Sequence, residues 1–274
     1  MFSIATAKTF KFEQKEQLNI FKRHGIDGFF TVYEKDSQIL ELKEHADRIG
    51  LFFQSIHAPY LPMRDLWHDS ENGQVLVDKI NECIRCASKV GVKKVISHLF
   101  STYDMEHPTK MGMQRVEQIL EQAQKSGVNI CFENLQGAEY LDAVLTEYAK
   151  YPFVKLCYDT GHEHCYHNYD VVEKHHKKIG AVHLNDNLGL RNLDGSFDRA
   201  DDLHLLVFDG NVNFDRACDL LISANFTDEL TFEFKITQFP ESKKYEKMDF
   251  DSYMDLAVQR MQMIRTLIDK KLNK

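Results

Sequence analysis

Two runs decide how this chain folds: Val154-Lys155-Leu156-Cys157-Tyr158-Asp159-Thr160-Gly161-His162 and Ile179-Gly180-Ala181-Val182-His183-Leu184-Asn185-Asp186. Each begins with four to six β-prone residues bounded by Gly, Asn or Asp, as a buried strand should be. Each breaks at its C-terminal end into carboxylate and imidazole. Between them, residues 169–178 are short and charged, suited to a crossover helix. A strand, a helix and a strand, with ligand-type side chains where the strands stop, is the pattern of an α/β-barrel active site.

Working outward, the same unit recurs. Residues 2–6, 26–33, 51–56, 94–97, 128–132 and 230–234 read as further strands. Helices are expected over 12–24, 39–49, 75–90, 110–126, 139–150, 213–224 and 249–269, with Gly25, Gly50, Gly91, Gly127 and Pro152 as stop signals. Residues 187–211 read as a long polar connection. Eight strand–helix alternations imply a parallel sheet closed into a (β/α)8 TIM barrel, a single domain over residues 1–274.

The bulk composition agrees. A length of 274 residues is close to the ~250 of such barrels. Apolar residues at 43% supply a core and charged residues at 28% a water-facing surface. Met1 to Thr6 is too short, and too soon followed by Lys8 and Lys11, to read as a signal peptide. No apolar run approaches the ~20 residues of a bilayer span, so the expectation is a cytoplasmic protein without membrane contact. Six scattered cysteines argue for reduced thiols, and Cys83-x-x-Cys86 falls in an amphipathic helical stretch where packing explains it. The net charge of −8 disfavours a nucleic-acid backbone as partner without excluding a local basic groove. A homo-oligomer stays open, because nothing in the chain decides the oligomeric state.

At the strand ends stand His57, His98, Glu133, Asp159 with His162, His183 and Glu233, and the connection after strand seven adds Asp202-Leu203-His204. In a barrel these ends converge on one mouth. Five imidazoles and four carboxylates aimed at one volume need cations between them. Mixed His/Asp/Glu ligation suits Zn²⁺ or Mn²⁺, or Fe²⁺, better than the all-oxygen shells of Ca²⁺ and Mg²⁺. His164, His167, His175 and His176 lie beyond a strand end or on the crossover and read as surface residues. No phosphate loop, Gly-x-Ser-x-Gly elbow or dinucleotide fingerprint is present.

Phe132-Glu133-Asn134-Leu135, Tyr158-Asp159-Thr160-Gly161-His162, Val182-His183-Leu184-Asn185-Asp186 and Asp202-Leu203-His204 together resemble the xylose-isomerase-like barrel superfamily. That group holds sugar and sugar-phosphate isomerases and epimerases, and apurinic endonucleases of the endonuclease IV type. The resemblance runs from strand three to strand eight and implies a core divalent metal held by Glu133, Asp159, His183 and Glu233. The endonuclease branch uses a trinuclear zinc site with nine ligands, and its positions fall here on His57, His98, Glu133, Asp159, His162, His183, Asp202, His204 and Glu233. Tyr60-Leu61 matches the place where that branch presents DNA-intercalating residues. Against it, the branch's Gly-Glu-Gly stretch reads Phe208-Asp209-Gly210, and the loop Tyr33-Glu34-Lys35-Asp36 offers no arginine to phosphate.

The expected chemistry follows from these residues. For an isomerase or epimerase, one metal polarises a carbonyl–hydroxyl pair and stabilises an enediolate, while Glu133 and Glu233 move the proton as base and acid. His162 or His98 would hydrogen-bond the enediolate oxygen. Tyr60 and Trp67 would wall a small carbohydrate substrate, with Asn134 and Asp186 also expected at the substrate. One to three ions are compatible with the ligand set. The alternative is phosphodiester hydrolysis on abasic DNA, with Glu133 bridging two ions. A barrel that binds a sugar or metal without turnover ranks last, because both glutamates are present.

Overall fold

The chain alternates strand and helix from one end to the other. The structure, a computed structural model, describes residues 1–60, 62–101, 107–189, 201–237 and 239–273. Among the described residues eight strands occur, β1 (Phe2–Ala5), β2 (Gly28–Val32), β3 (Phe52–His57), β4 (Lys94–Ser97), β5 (Asn129–Glu133), β6 (Val154–Asp159), β7 (Ile179–His183) and β8 (Leu230–Phe232). The helices between and after them are α1 (Gln14–Arg23), α2 (Asp36–Ile49), α3 (Glu71–Val90), α4 (Lys110–Ser126), α5 (Ala138–Glu147), α6 (Thr160–Tyr166), α7 (Tyr169–His175), α8 (Phe214–Ser223), α9 (Lys243–Glu246) and α10 (Phe250–Leu272).

All strand pairs are parallel, in the order β7-β6-β5-β4-β3-β2-β1-β8. The remaining gap is closed just beyond the strand ends. Leu184 bridges Phe232, its N–H donating to the Thr231 carbonyl at 2.8 Å, and the Glu233 N–H donates to the Leu184 carbonyl at 3.2 Å. The molecule is a (β/α)8 TIM barrel.

Strand periodicity explains what fills it. Ile96, Cys131, Cys157 and Ala181 form a small apolar cluster, separate from the core beneath the helices. Side chains two residues apart share a strand face. The next inward positions are therefore His98, Glu133, Asp159 and His183, one layer nearer the C-terminal end.

The helix ends behave as expected, with Gly50, Gly91 and Gly127 in the left-handed region that a Cβ disfavours. Several starts come earlier than expected. α3 begins at Glu71 rather than residue 75, because Ser70 caps it by accepting from the Gly73 N–H. α6 was not expected at all: Asp159 ends β6 and at once caps this helix, accepting from the His162 N–H at 2.7 Å. His175, read as a surface residue, is buried against Asp142, 2.6 Å away, and only His167 of its group is fully exposed. The connection read as polar carries buried Leu203, Leu205, Leu206 and Val207. Its residues 190–200 lie outside the described set, as does Leu61. Among the described residues, no helix is long and apolar enough to cross a membrane.

Candidate metal centre

Glu133 is the hub of the mouth. Its Oε1 lies 2.7 Å from His183 Nδ1 and 3.5 Å from His162 Nδ1; its Oε2 lies 2.8 Å from His98 Nε2 and 3.3 Å from His57 Nε2. Burial alone pushes this carboxyl up, yet His183, His57 and His98 around it hold it well below the usual carboxylate range. Glu233 sits opposite, with Oε2 3.1 Å from His183 Nδ1. Burial raises it too, and Lys235, His204 and His183 outweigh that to keep it ionised.

The remaining side chains complete three neighbouring groups, two of them sharing Glu133, within each of which the potential ligand atoms lie within 4.8 Å of one another. His57, His98 and Glu133 form one. Glu133, Asp159, His183 and Glu233 form the second, with Cys157 also near Glu133 and His183. His162, Asp202 and His204 form the third. Asp202 Oδ2 stands 3.5 Å from His162 Nε2 and 3.2 Å from His204 Nε2.

These donors fit a divalent cation on grounds independent of any resemblance. His57 and His98 turn their Nε2 atoms toward each other at 3.2 Å, in front of the same Glu133 oxygen. His57 Nδ1–H donates to the Ala58 carbonyl at 2.8 Å, which leaves its Nε2 lone pair facing that centre. His98 Nδ1, His162 Nδ1, His183 Nε2 and Asp202 Oδ1 are buried without a hydrogen-bond partner among the described residues. Buried polar atoms are ordinarily paired, so this unmet hydrogen-bonding capacity, with Asp202 Oδ1 as a free acceptor beside His162 and His204, suits ion coordination.

The imidazoles differ in charge. His98 is pushed down to about 4 by burial, which Glu133 only partly offsets. Burial also opposes charge on His162, but Asp159 and Asp202 override it and raise the ring to about 10. His183 rises well above the ordinary value against its burial, through Cys157 and Glu133. Asp159 goes up to about 6, chiefly through burial, although His162 pulls it down.

The other expected site residues are placed differently from one another. Tyr60, 39% exposed, leans its ring on His57 and His98 with centroids 5.4 and 5.3 Å away. Trp67 does not line the mouth: it is buried against Tyr140 and Gly112, its Nε1–H donating to the Leu99 carbonyl at 2.7 Å. Asn134 splints two strands, its Nδ2 donating to the Asp159 carbonyl at 2.9 Å and its Oδ1 accepting from the Asp159 N–H at 2.7 Å. Asp186 holds the returning connection by accepting from the Gly210 and Val212 N–H groups, both at 2.9 Å. Burial lifts its carboxyl to about 6 against the pull of those N–H groups.

Two contributors escaped the sequence reading. Asn185 donates to Asp159 Oδ2 at 2.7 Å and orients that carboxylate. Lys235 reaches Glu233 Oε1 at 3.0 Å and His204 Nε2 at 2.8 Å. The available signal was spacing: Lys235 follows Glu233 by two, just past the end of β8.

Fold and site define a parallel α/β barrel with potential ion ligands gathered at its C-terminal mouth. The chain belongs to the xylose isomerase-like TIM barrel family, whose profile matches residues 18–250. It is 24% identical over 242 residues to the uncharacterized protein y4fM of Sinorhizobium fredii, covering 81% of this chain and 70% of that one. Among solved structures, a D-tagatose 3-epimerase-like protein superposes with a TM-score of 0.74 at 17% identity, covering 99% of both chains. The IOLI protein with a bound zinc atom gives 0.74 at 15% identity over 98% of both.

Proposed function

We propose that this chain is a divalent-metal-dependent isomerase or epimerase of a sugar, sugar phosphate or similar polyhydroxylated small molecule. The observation that carries the reading is the pair of carboxylates flanking one imidazole: Glu133 and Glu233 approach His183 Nδ1 at 2.7 and 3.1 Å. They come from β5 and from the end of β8, different parts of the barrel wall. Moving a proton between positions on a sugar, or between the faces of one carbon, calls for such a pair, one taking the proton and the other returning it.

Glu133, Asp159, His183 and Glu233 would hold the ion, with Zn²⁺ or Mn²⁺ suited to the donor set. When bound, such an ion acts as a Lewis acid that polarises a carbonyl oxygen and acidifies the neighbouring C–H. The chain supplies the rest. Glu133, kept ionised by its histidines, is ready to accept a proton. His162 and His98 stand where they can hydrogen-bond a substrate oxygen, and the half-open Tyr60 ring walls the entrance. The epimerase named among the similar structures, and the zinc in another, support this reading.

A second reading has one specific observation in its favour. Three ligand groups, two of them sharing Glu133, also suit the trinuclear hydrolysis of an abasic-site endonuclease.

Elemental analysis of protein purified without added metal or chelator comes first, with bound zinc or manganese expected. Ketoses and sugar phosphates are then incubated with the enzyme in D₂O. Deuterium is expected to enter one substrate carbon, and Glu133→Gln or Glu233→Gln to slow that exchange by roughly 10² or more. Cleavage of an abasic-site duplex with no exchange into any sugar would replace the first reading by the second.

A further inference from the structure

The mouth already contains a cation of its own. The Lys235 N–H donates to the His204 carbonyl at 3.0 Å, which pins this residue beside the third ligand group. Its ammonium reaches Glu233 Oε1 at 3.0 Å and His204 Nε2 at 2.8 Å. His204 Nδ1 faces the Glu233 carbonyl at 3.2 Å, so the ring proton belongs on Nδ1 and the lone pair on Nε2. A nitrogen lone pair serves one partner at a time. It accepts an ammonium hydrogen, or it coordinates an ion.

That nitrogen is also the one His204 turns toward Asp202 Oδ2, 3.2 Å away, within the group that His162 completes. An ion held by this group and the Lys235 ammonium therefore contend for the same atom. They also carry charge of the same sign into one small volume, where repulsion is weakly screened. The same ammonium also touches Glu233 of the second group, whereas the nitrogens of His57 and His98 in the first face Glu133, each other and the Ala58 carbonyl.

We propose that Lys235 is the resident cation of the His162–Asp202–His204 group, supplying the positive charge that a third metal ion would bring and limiting the mouth to two ions at most. The inference rests on the metal-binding reading above and sharpens it. Where a trinuclear site has a Lewis acid, this chain presents N–H donors on a side chain. Such donors can hydrogen-bond a substrate oxygen but cannot generate a metal-bound nucleophile. With two ions at most, this side of the mouth offers hydrogen-bond donors to a polyhydroxylated or anionic small molecule in place of a third Lewis acid.

The test counts ions without measuring turnover. Wild-type protein, Lys235→Met, Lys235→Gln and the double variant Lys235→Met/His204→Ala are saturated with zinc, desalted and analysed for zinc per chain. Both single variants are expected to hold about one equivalent more than wild type, and the double variant to lose that gain. Wild-type protein holding about three equivalents would overturn the proposal by itself, whether or not the variants fold. So would equal counts in wild type and the folded single variants, with zinc still bound, which leaves the metal reading standing. No zinc in any of the proteins would end both.

Discussion

Main-chain carbonyls aim two of the histidines, and neighbouring carboxylates set the charge of others. His57 and His204 each place Nδ1 against a backbone carbonyl and so present Nε2 to the mouth. His183 differs: Cys157 and Glu133 raise its basicity despite burial, so the ion-free ring carries a proton at neutral pH. A ligand nitrogen must offer a lone pair, so an ion entering the group of Glu133, Asp159, His183 and Glu233 has to displace that proton. The sign follows directly: ion affinity rises with pH and falls in acid. Calorimetry of zinc binding near pH 7, in two buffers of different ionisation enthalpy, should show net proton release. Apparent enthalpies that agree in both buffers would contradict the protonated His183. His98, pushed down to about 4, has no proton to give at that pH.

At the scale of elements, side-chain amides register the strands that carry the ligands. Asn134 makes two of its side-chain bonds to the main chain of Asp159 and a third to Asn168, so β5 and β6 arrive at the mouth in fixed relation. Asn134→Ala leaves a buried N–H and a buried carbonyl without these partners and should cost about 1–3 kcal/mol in denaturant unfolding. In the helix layer, a Cβ on Gly112 would collide with the Trp67 indole. Gly112→Ala should then destabilise by about 1–3 kcal/mol through overpacking, with Gly127→Ala, which meets no neighbour but has φ +62°, as the comparison for backbone strain alone. The strands themselves were legible because runs such as Val128–Phe132 are apolar and stop at a charged residue. α6 was hidden because Asp159 is at once the last strand residue and a helix cap. Trp67 and His175 were misjudged for a related reason: their partners Gly112, Tyr140 and Asp142 lie 33 or more positions away. Lys235 looked like an ordinary charged residue until His204 was placed beside it.

For the molecule as a whole, Glu133, Asp159, His183 and Glu233 stand at the ends of β5 to β8, so an ion held by this group would join half of the barrel wall. Anything that binds only the folded chain stabilises it, by about 4 kcal/mol at a thousand times the dissociation constant. Chelation should therefore lower the melting temperature by roughly 10 °C for a chain of this size, and restored zinc or manganese should recover it. A melting curve unmoved by chelator, on protein shown to have lost its metal, would count against the centre. The (β/α)8 architecture, its closure included, was readable from alternation because each unit repeats one local rule; the two backbone bonds that make the closure were not, since they join segments nearly fifty residues apart.

That closure separates the two glutamates in a practical way. β5 is laddered on both sides, to β4 and to β6. Glu133 can thus lose its charge while its strand stays held. Glu233 lies on the seam, where β7 and β8 meet through Leu184 and where its own contact with His183 bridges the two strand ends. Replacing it removes a proposed proton-transfer group and its side-chain contact across the joint. Slower turnover in Glu133→Gln reports on proton transfer and ion binding with the strand still held, whereas the same loss in Glu233→Gln adds the mechanical integrity of the barrel.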